Sequence, residues 1–218
     1  MKIKVCGNTL PQQVNALDEL GVTFAGFIFY PRSPRYMVQK IGPEKMRQIK
    51  GKIIKVGVFV NPTYEELMKT VEVYRLDMVQ LHGDESPKFC DKIADYISVI
   101  KAFRISDNDS IQHMTQSYTE VCDFFMFDTL GAGYGGTGKK FDWMILQQSL
   151  PLKPYFLSGG IEPGDEKKLE DFLRFKQQNS AEDKDGHPVY LAQSEWFLNT
   201  EIRNNPDIEF HFTSEIHK

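Results

Sequence analysis

The chain has 218 residues, of which 41% are hydrophobic and 26% charged, and its formal net charge is −4 at pH 7. This composition excludes a disordered chain, and a chain of this length buries enough surface to fold without a disulfide or a metal. The negative charge argues against an electrostatic nucleic-acid binder, and no run of about 18 apolar residues predicts a membrane helix. Without an apolar signal-peptide core, and with three widely spaced cysteines that indicate reduced thiols, we expect a cytoplasmic protein.

Short apolar, β-branched runs alternate with helical patterns along the chain. We predict strands at residues 3–6, 24–29, 54–60, 78–81, 99–102, 124–128 and 154–157. Helices are predicted at residues 12–20, 64–74, 88–93 and 165–175, each with apolar side chains on one face. Pro43, Thr63 and Ser86 stand where helix starts are expected.

Strands that are apolar on both faces and separated by helices predict a parallel sheet with the helices outside it. Seven evenly spaced units favour an α/β fold of the (β/α)₈ TIM-barrel type, closed by an eighth unit, over an open doubly wound sheet. The eighth strand is predicted at 189–192 or 196–198, after a polar loop at 177–188. We expect one domain over residues 1–218 with 177–218 atypical, and the sequence leaves open whether the eighth unit is regular.

Catalytic groups in such a barrel lie at the carboxyl ends of the strands, which confines the search for them. Cys6 ends the first strand and suits a thiolate base or nucleophile, the alternative being a small buried apolar residue. That alternative is preferred for Cys90 and Cys122. Asp128 ends the sixth strand and suits a general acid, the alternative being a residue that caps the following turn.

Three loops supply further candidates. Arg35 lies in a proline-rich loop and suits bidentate binding of a carboxylate, the alternative being a solvated arginine. Ser158, Gly159 and Gly160 follow the seventh strand, where backbone N–H groups suit an oxyanion such as phosphate, the alternative being a plain tight turn. The glycine-rich segment 131–138 does not open a dinucleotide-binding unit, so we interpret it as a mobile lid. No motif has the spacing of metal ligands.

Six segments occur in an order that carries a resemblance. They are KVCGNT (4–9), GFIFYPRSPRYM (26–37), VGVFVN (56–61), VQLHGDESP (79–87), FDT with YGGTGKKFDW (127–129 and 134–143) and LSGGIEP (157–163). Taken together, over the first three quarters of the chain and at barrel-like spacing, they resemble the phosphoribosylanthranilate isomerase family of tryptophan biosynthesis. Any one segment is a weak signal, but six collinear segments are specific.

The resemblance implies an Amadori rearrangement of N-(5′-phosphoribosyl)anthranilate to 1-(2-carboxyphenylamino)-1-deoxy-D-ribulose 5-phosphate. It implies that Cys6 is the general base and Asp128 the general acid. Arg35 would hold the anthranilate carboxylate, and backbone N–H groups of Gly159 and Gly160 would bind the 5′-phosphate. The substrate is a small phosphosugar, and no metal, nucleotide or prosthetic group is implied. The implied substrate-binding residues are Arg35, His82, Ser158, Gly159, Gly160 and Asn199.

The C-terminal quarter departs from the family pattern. The family has a loop that completes the phosphate site, and its aspartate contacts the substrate amine. Here Phe197 stands at the aspartate position, and Leu198-Asn199-Thr200 echoes the loop only faintly. Three explanations stay open: a variant in which Asn199 and backbone groups suffice, weakened or lost activity, or a change of reading frame near residue 177.

Two alternative functions therefore accompany the isomerase. One is a non-catalytic or impaired phosphosugar-binding barrel, which the altered tail permits. The other is an acyl-transfer enzyme in which Cys6 is the nucleophile and His82 its base, although the sequence has no oxyanion or leaving-group signature for it. The sequence does not indicate an oligomeric state.

Overall fold

Eight strands close into a barrel. The computed structural model describes residues 2–130, 140–149, 151–162, 164–178 and 189–193. Neighbouring strands pair in chain order and all in parallel, and the last strand pairs with the first. The predicted (β/α)₈ barrel is therefore confirmed, and the open doubly wound sheet is wrong. The strands are β1 (Ile3–Cys6), β2 (Phe24–Ile28), β3 (Ile54–Phe59), β4 (Met78–Leu81), β5 (Ser98–Ile105), β6 (Phe124–Thr129), β7 (Tyr155–Leu157) and β8 (Val189–Gln193).

Apolar runs locate the strands because each strand is buried on both faces. The bounds of β1 and β4 agree with the prediction at both ends, and all but one of the other ends agree or differ by one residue. The exception is β5, which continues to Ile105 although the polar side chain of Arg104 ends the apolar run. Arg104 pairs with Asp128 of β6, so the hydrogen-bonded ladder extends beyond the apolar signal.

The helices follow the strands on the outside. They are α1 (Pro11–Glu19), α2 (Pro43–Arg47), α3 (Tyr64–Tyr74), α4 (Pro87–Ala94), α5 (Ile111–Thr115), α6 (Met144–Ser149) and α7 (Glu166–Gln178), with a 3₁₀ turn at Gln116–Tyr118. Thr63 caps α3, since its hydroxyl accepts from the N–H of Glu66 while the Glu66 carboxylate accepts from the N–H of Thr63. The sequence did not predict α5, because five residues are too few for a helical repeat.

Side chains that point into the barrel form an apolar cluster of their own. Strands β2 to β8 all contribute to it, and Phe156 packs against Phe24 with ring centroids 5.3 Å apart. A larger cluster lies between the strands and the helices. The barrel interior is thus a packed core, which leaves the rim for chemistry. The inner cluster comprises Phe24, Val56, Met78, Ile100, Ala102, Met126, Phe156, Tyr190 and Ala192.

The eighth strand is regular where the structure describes it. Leu191 pairs with Ile3 of β1 and with Leu157 of β7, so β8 closes the sheet in register with both neighbours. Of the two predicted locations, the first is confirmed, and residues 196–198 lie outside the described part of the chain. The predicted loop at 177–188 is wrong at its start, because α7 continues to Gln178. Residues 179–188 lie outside the described part.

Across the described part of the chain, every helix is too short or too polar to cross a lipid bilayer.

A buried ion pair fixes the loop that follows β4. The Lys101 ammonium lies 3.0 Å from a carboxylate oxygen of Glu85, with 3% and 2% of the two side chains exposed. Lys101 also donates to the carbonyl of Gly83 at 2.8 Å, and Glu85 accepts from the backbone N–H groups of Asn61 and Gly83. These contacts hold the loop, and with it His82, at the carboxyl end of β4.

Replacing Lys101 tests whether this pair holds the loop. We expect Lys101→Met to lower the free energy of unfolding by about 3–5 kcal/mol, because the Glu85 carboxylate is left buried and unpaired. Urea denaturation measures the change. Adding Glu85→Gln to Lys101→Met is expected to restore part of the loss, since it removes the unpaired charge. The control is Glu44→Gln, which breaks the exposed Arg47–Glu44 pair and is expected to cost less than about 1 kcal/mol. A loss for Lys101→Met no larger than that of the control would contradict the assignment.

Candidate active site

The carboxyl ends of the parallel strands meet at one rim of the barrel. Cys6 ends β1, Asp128 lies near the end of β6, and Ser158 follows β7, so these three predicted residues share that rim. His82 follows β4 at the same rim. The result is a mouth that combines a thiol, a carboxyl group, an imidazole and a glycine turn.

A tight turn fixes the direction of Cys6, whose side chain is buried. The Asn8 amide group, itself 4% exposed, donates to the carbonyls of Val5 at 3.0 Å and Gly26 at 3.1 Å. Gly7 adopts a φ of 91°, which favours glycine, and its N–H donates to the same Gly26 carbonyl. The chain therefore leaves β1 immediately after Cys6 and ties that turn to β2.

Asp128 has one oxygen engaged by the backbone and the other directed at His82. Oδ1 accepts a hydrogen bond from the N–H of Thr129 at 2.9 Å. This is the local contact expected if Asp128 caps the following turn. Oδ2 lies 3.4 Å from Nε2 of His82, and Nδ1 of the same ring lies 2.7 Å from the Gln80 amide nitrogen. The ring nitrogens of His82 thus face Gln80 and Asp128 rather than Cys6. This arrangement does not provide the nucleophile–base pair that acyl transfer requires.

Arg35 lies in a loop that folds back onto β2. The N–H of Met37 donates to the carbonyl of Ile28 at 3.0 Å, and the N–H of Arg35 donates to the Ser33 hydroxyl at 3.2 Å. Arg35 is half-buried, and its guanidinium is close enough to Lys4 to contribute to lowering the pKa of that ammonium. The loop therefore brings a cation to the mouth.

The glycine turn after β7 lies against the end of β6. Gly159 has a φ of 88° and Gly160 a φ of 67°, conformations that favour glycine. A Cβ on Gly159 would lie 2.7 Å from the Thr129 backbone nitrogen and 3.1 Å from Oδ1 of Asp128. Only glycine therefore allows this close approach of the turn to the end of β6.

The sequence analysis missed two polar residues that point into the barrel. Lys4 is 1% exposed and Gln80 is 2% exposed. Both lie within runs that were interpreted as apolar strands. The alternation of side chains along a strand could have identified them, because Lys4 is two residues before Cys6 and Gln80 is two residues before His82. In a strand, residues two apart point to the same face. Each polar residue therefore lies on the face of a candidate site residue.

Two sequence predictions lie outside the described residues. They are Asn199 as a substrate-binding residue and the segment 131–138 as a lid. Within the described residues, no group of three or more His, Cys, Asp or Glu side chains is arranged to hold a metal ion.

Comparisons with known proteins converge on one family. The model described as "N-(5'phosphoribosyl)anthranilate (PRA) isomerase" matches residues 3–174. The N-(5′-phosphoribosyl)anthranilate isomerase of Phocaeicola vulgatus is 40% identical over 182 residues, which cover 83% of this chain and 84% of the relative. The same enzyme of Parabacteroides distasonis is 42% identical over 177 residues, covering 79% and 78%.

Solved structures agree with the sequence relatives. The phosphoribosyl anthranilate isomerase of Thermotoga maritima superposes with a TM-score of 0.68 at 30% identity, covering 97% of this chain and 93% of that one. A phosphoribosyl anthranilate isomerase in complex with reduced 1-(o-carboxyphenylamino)-1-deoxyribulose 5-phosphate superposes with a TM-score of 0.65, also at 30% identity, covering 88% and 87%.

The turn after β1 generates a prediction for Asn8. We expect Asn8→Ala to lower the free energy of unfolding by about 1–3 kcal/mol, because two buried carbonyls lose a donor. The turnover number should fall as well, because the turn that directs Cys6 is loosened. The control is Asn15→Ala on the exposed face of α1, expected to change stability by less than about 0.5 kcal/mol. Thermal denaturation and steady-state kinetics measure both. Equal effects of the two changes would contradict the role of Asn8.

Proposed function

The chain belongs to the N-(5′-phosphoribosyl)anthranilate isomerase family, and from its geometry we propose that Cys6 and Asp128 perform the isomerisation as general base and general acid. The reaction converts an aminoaldose into an aminoketose, a step of tryptophan biosynthesis. One observation carries the proposal: Cys6 and Asp128 share a rim and both act electrostatically on the same buried ammonium group, that of Lys4. A thiol and a carboxyl group at one mouth supply the two proton-transfer groups that the reaction needs.

Asp128 would act first. The isomerisation begins when the furanose ring opens: an acid protonates the ring oxygen while the substrate nitrogen displaces it from C1′, giving an iminium. The backbone N–H of Thr129 engages Oδ1, so Oδ2 is left to carry the transferable proton. Nε2 of His82 lies 3.4 Å from Oδ2 without a hydrogen bond to it, so its influence on the carboxyl group would be one of proximity.

Cys6 would act second, as a thiolate. It takes the proton from C2′, the C–H electron pair becomes the C1′=C2′ bond, and the iminium nitrogen accepts the displaced electrons. The enolamine then gains a proton at C1′ and loses one from its 2′-hydroxyl, which gives the ketone. The turn stabilised by Asn8 would keep Sγ directed at C2′ through these steps.

The substrate would be held at both ends. The structural relative in complex with the reduced carboxyphenylamino deoxyribulose phosphate accommodates a molecule with a carboxylate and a phosphate. Arg35 would bind the carboxylate, because a guanidinium presents two parallel donors. Gly159 and Gly160 would bind the 5′-phosphate through backbone N–H groups, with Ser158 beside them. Asn199 remains our candidate for the amine side of the substrate.

We further propose that residues 1–218 form one barrel domain that works in the cytoplasm on a small phosphosugar. Cys6, Cys90 and Cys122 are all free and buried, and free thiols are typical of reducing compartments. The net charge of −4 supports a partner other than nucleic acid.

The proposal predicts that removing either the base or the acid lowers catalytic activity. Cys6→Ala and Asp128→Asn should each lower the turnover number at least about 100-fold, the lower end of the usual contribution of general acid–base catalysis, with little change in KM. Chromatographic assay of the aminoketose measures turnover, and circular dichroism checks the fold. The control is Cys90→Ala, since this buried cysteine on α4 lies away from the rim.

Wild-type turnover by either variant would overturn the role of that residue. If the unmodified protein binds the phosphosugar without converting it, the chain is the non-catalytic barrel instead. Complementation of a tryptophan auxotroph that lacks this isomerase separates these two outcomes in a cell.

The glycine turn generates a second prediction. Gly159→Ala should raise KM about tenfold or more and weaken inhibition by inorganic phosphate in parallel, because a Cβ there displaces the N–H donors. Gly164→Ala is the matched control: Gly164 also has a positive φ, 101°, but apart from its chain neighbours no atom of the described residues lies within 4 Å of a Cβ placed there. Phosphate inhibition that is unchanged in a folded Gly159→Ala variant would contradict the phosphate site.

A further inference from the structure

We propose that Lys4 is the positioning residue for the catalytic base: its ammonium group donates a hydrogen bond to Sγ of Cys6 from inside the barrel and holds the sulfur as a thiolate. The inference rests on the proposed role of Cys6. It assigns a function to a buried cation that the two proton transfers leave unused.

The pairing register places Lys4 inside the barrel. Its Cα partners are Phe24 of β2 and Ala192 of β8, and both belong to the inner apolar cluster. Strands β2 to β8 each supply an apolar side chain to that cluster, whereas β1 supplies a lysine. Because Cys6 is two residues further along β1, it points to the same interior and lies one layer closer to the mouth.

Gly26 shows how close the two groups are. A Cβ on Gly26 would lie 2.9 Å from Sγ of Cys6 and 3.0 Å from Nζ of Lys4, so both atoms converge on the space that glycine leaves open. A side-chain hydrogen bond joins Lys4 and Cys6. The ammonium group and the sulfur therefore lie side by side against Gly26.

Burial makes this contact electrostatically significant. Desolvation is the main reason why the pKa of Lys4 lies below its ordinary value, and the Arg35 guanidinium lowers it further. Cys6 and Asp128 oppose this, which identifies them as the groups whose negative charge supports the ammonium. Among the described residues, the charged and titratable groups that act on Lys4 are thus Cys6, Arg35 and Asp128, and the hydrogen bond is to Cys6.

Lys101 shows what a purely structural buried lysine looks like in the same barrel. It has a permanent carboxylate partner, Glu85, at 3.0 Å, and it also donates to backbone carbonyls. Lys4 has no carboxylate in hydrogen-bond contact among the described residues, and its hydrogen-bond partner is a sulfur. A buried ammonium of this kind favours an anion next to it, here the thiolate of Cys6.

The charge balance around Lys4 survives the reaction. The proposed reaction starts with the negative charge on Cys6 and the transferable proton on Asp128. After Asp128 has protonated the ring oxygen and Cys6 has taken the C2′ proton, the thiol is neutral and the carboxylate is charged. Lys4 lies near both groups, so its ammonium is compensated at either stage without gaining or losing a proton.

The test is the pH dependence of Cys6 alkylation by iodoacetamide, read by peptide mass spectrometry because only the thiolate reacts. Lys4→Met, close in length but without charge, should raise the midpoint of this pH dependence by about one pH unit or more, so that the thiolate fraction at neutral pH falls about tenfold. The turnover number should fall in parallel at pH 7 and recover partly at higher pH.

Two further variants keep the outcome decisive. Lys4→Gln retains a hydrogen-bond donor without the charge and should shift the midpoint in the same direction. Lys101→Met combined with Glu85→Gln removes a different buried lysine and should leave the Cys6 midpoint unchanged. An unshifted midpoint in a folded Lys4→Met or Lys4→Gln variant would overturn the proposal. If Cys6→Ala is inactive but the Lys4 variants do not shift the midpoint of Cys6 alkylation, this inference is wrong and the assignment of Cys6 as the base is retained.

Discussion

Closure of the sheet by β8 is the constraint on which the rest of the molecule depends. Because Leu191 pairs with both Ile3 and Leu157, the eight strands form a ring, and each strand has one face turned to the interior. In a ring of parallel strands the carboxyl ends share one rim, so residues far apart in the chain, such as Cys6 and Asp128, are brought together. Closure also shields the interior from water, which strengthens every electrostatic interaction near the mouth.

Much of this architecture was predictable from the sequence because burial on both faces leaves an apolar run that a single chain displays. The catalytic candidates were found by searching strand ends only, which is possible once a barrel is assumed. The first location predicted for the eighth strand is confirmed, because Val189–Gln193 pairs with both neighbouring strands. Helix α5 was not predicted, because five residues are too few to show a helical repeat of apolar side chains.

The remaining features depend on register, which a single sequence does not display. That Gly26 lies beside Cys6 and Lys4 follows from the pairing of β1 with β2, across 20 residues of chain. The pair between Glu85 and Lys101 likewise joins two elements through the hydrogen bonds of a loop. Polar residues such as Lys4 and Gln80 could have been identified by alternation alone, but only their neighbours show what they do.

The two buried lysines show that the same type of side chain has different roles in one barrel. Lys101 points outward from β5 and is neutralised permanently by Glu85, so its charge contributes to folding. Lys4 points inward from β1, where the other strands place apolar groups, and the groups that compensate its charge are Cys6 and Asp128, our proposed base and acid. The burial of Lys4 is therefore offset by groups at the mouth rather than by a permanent ion pair within the fold. In the proposed mechanism those groups are the ones that transfer protons. The cost of burying Lys4 is then tied to the chemistry of the site, whereas Glu85 offsets the cost of burying Lys101 within the fold.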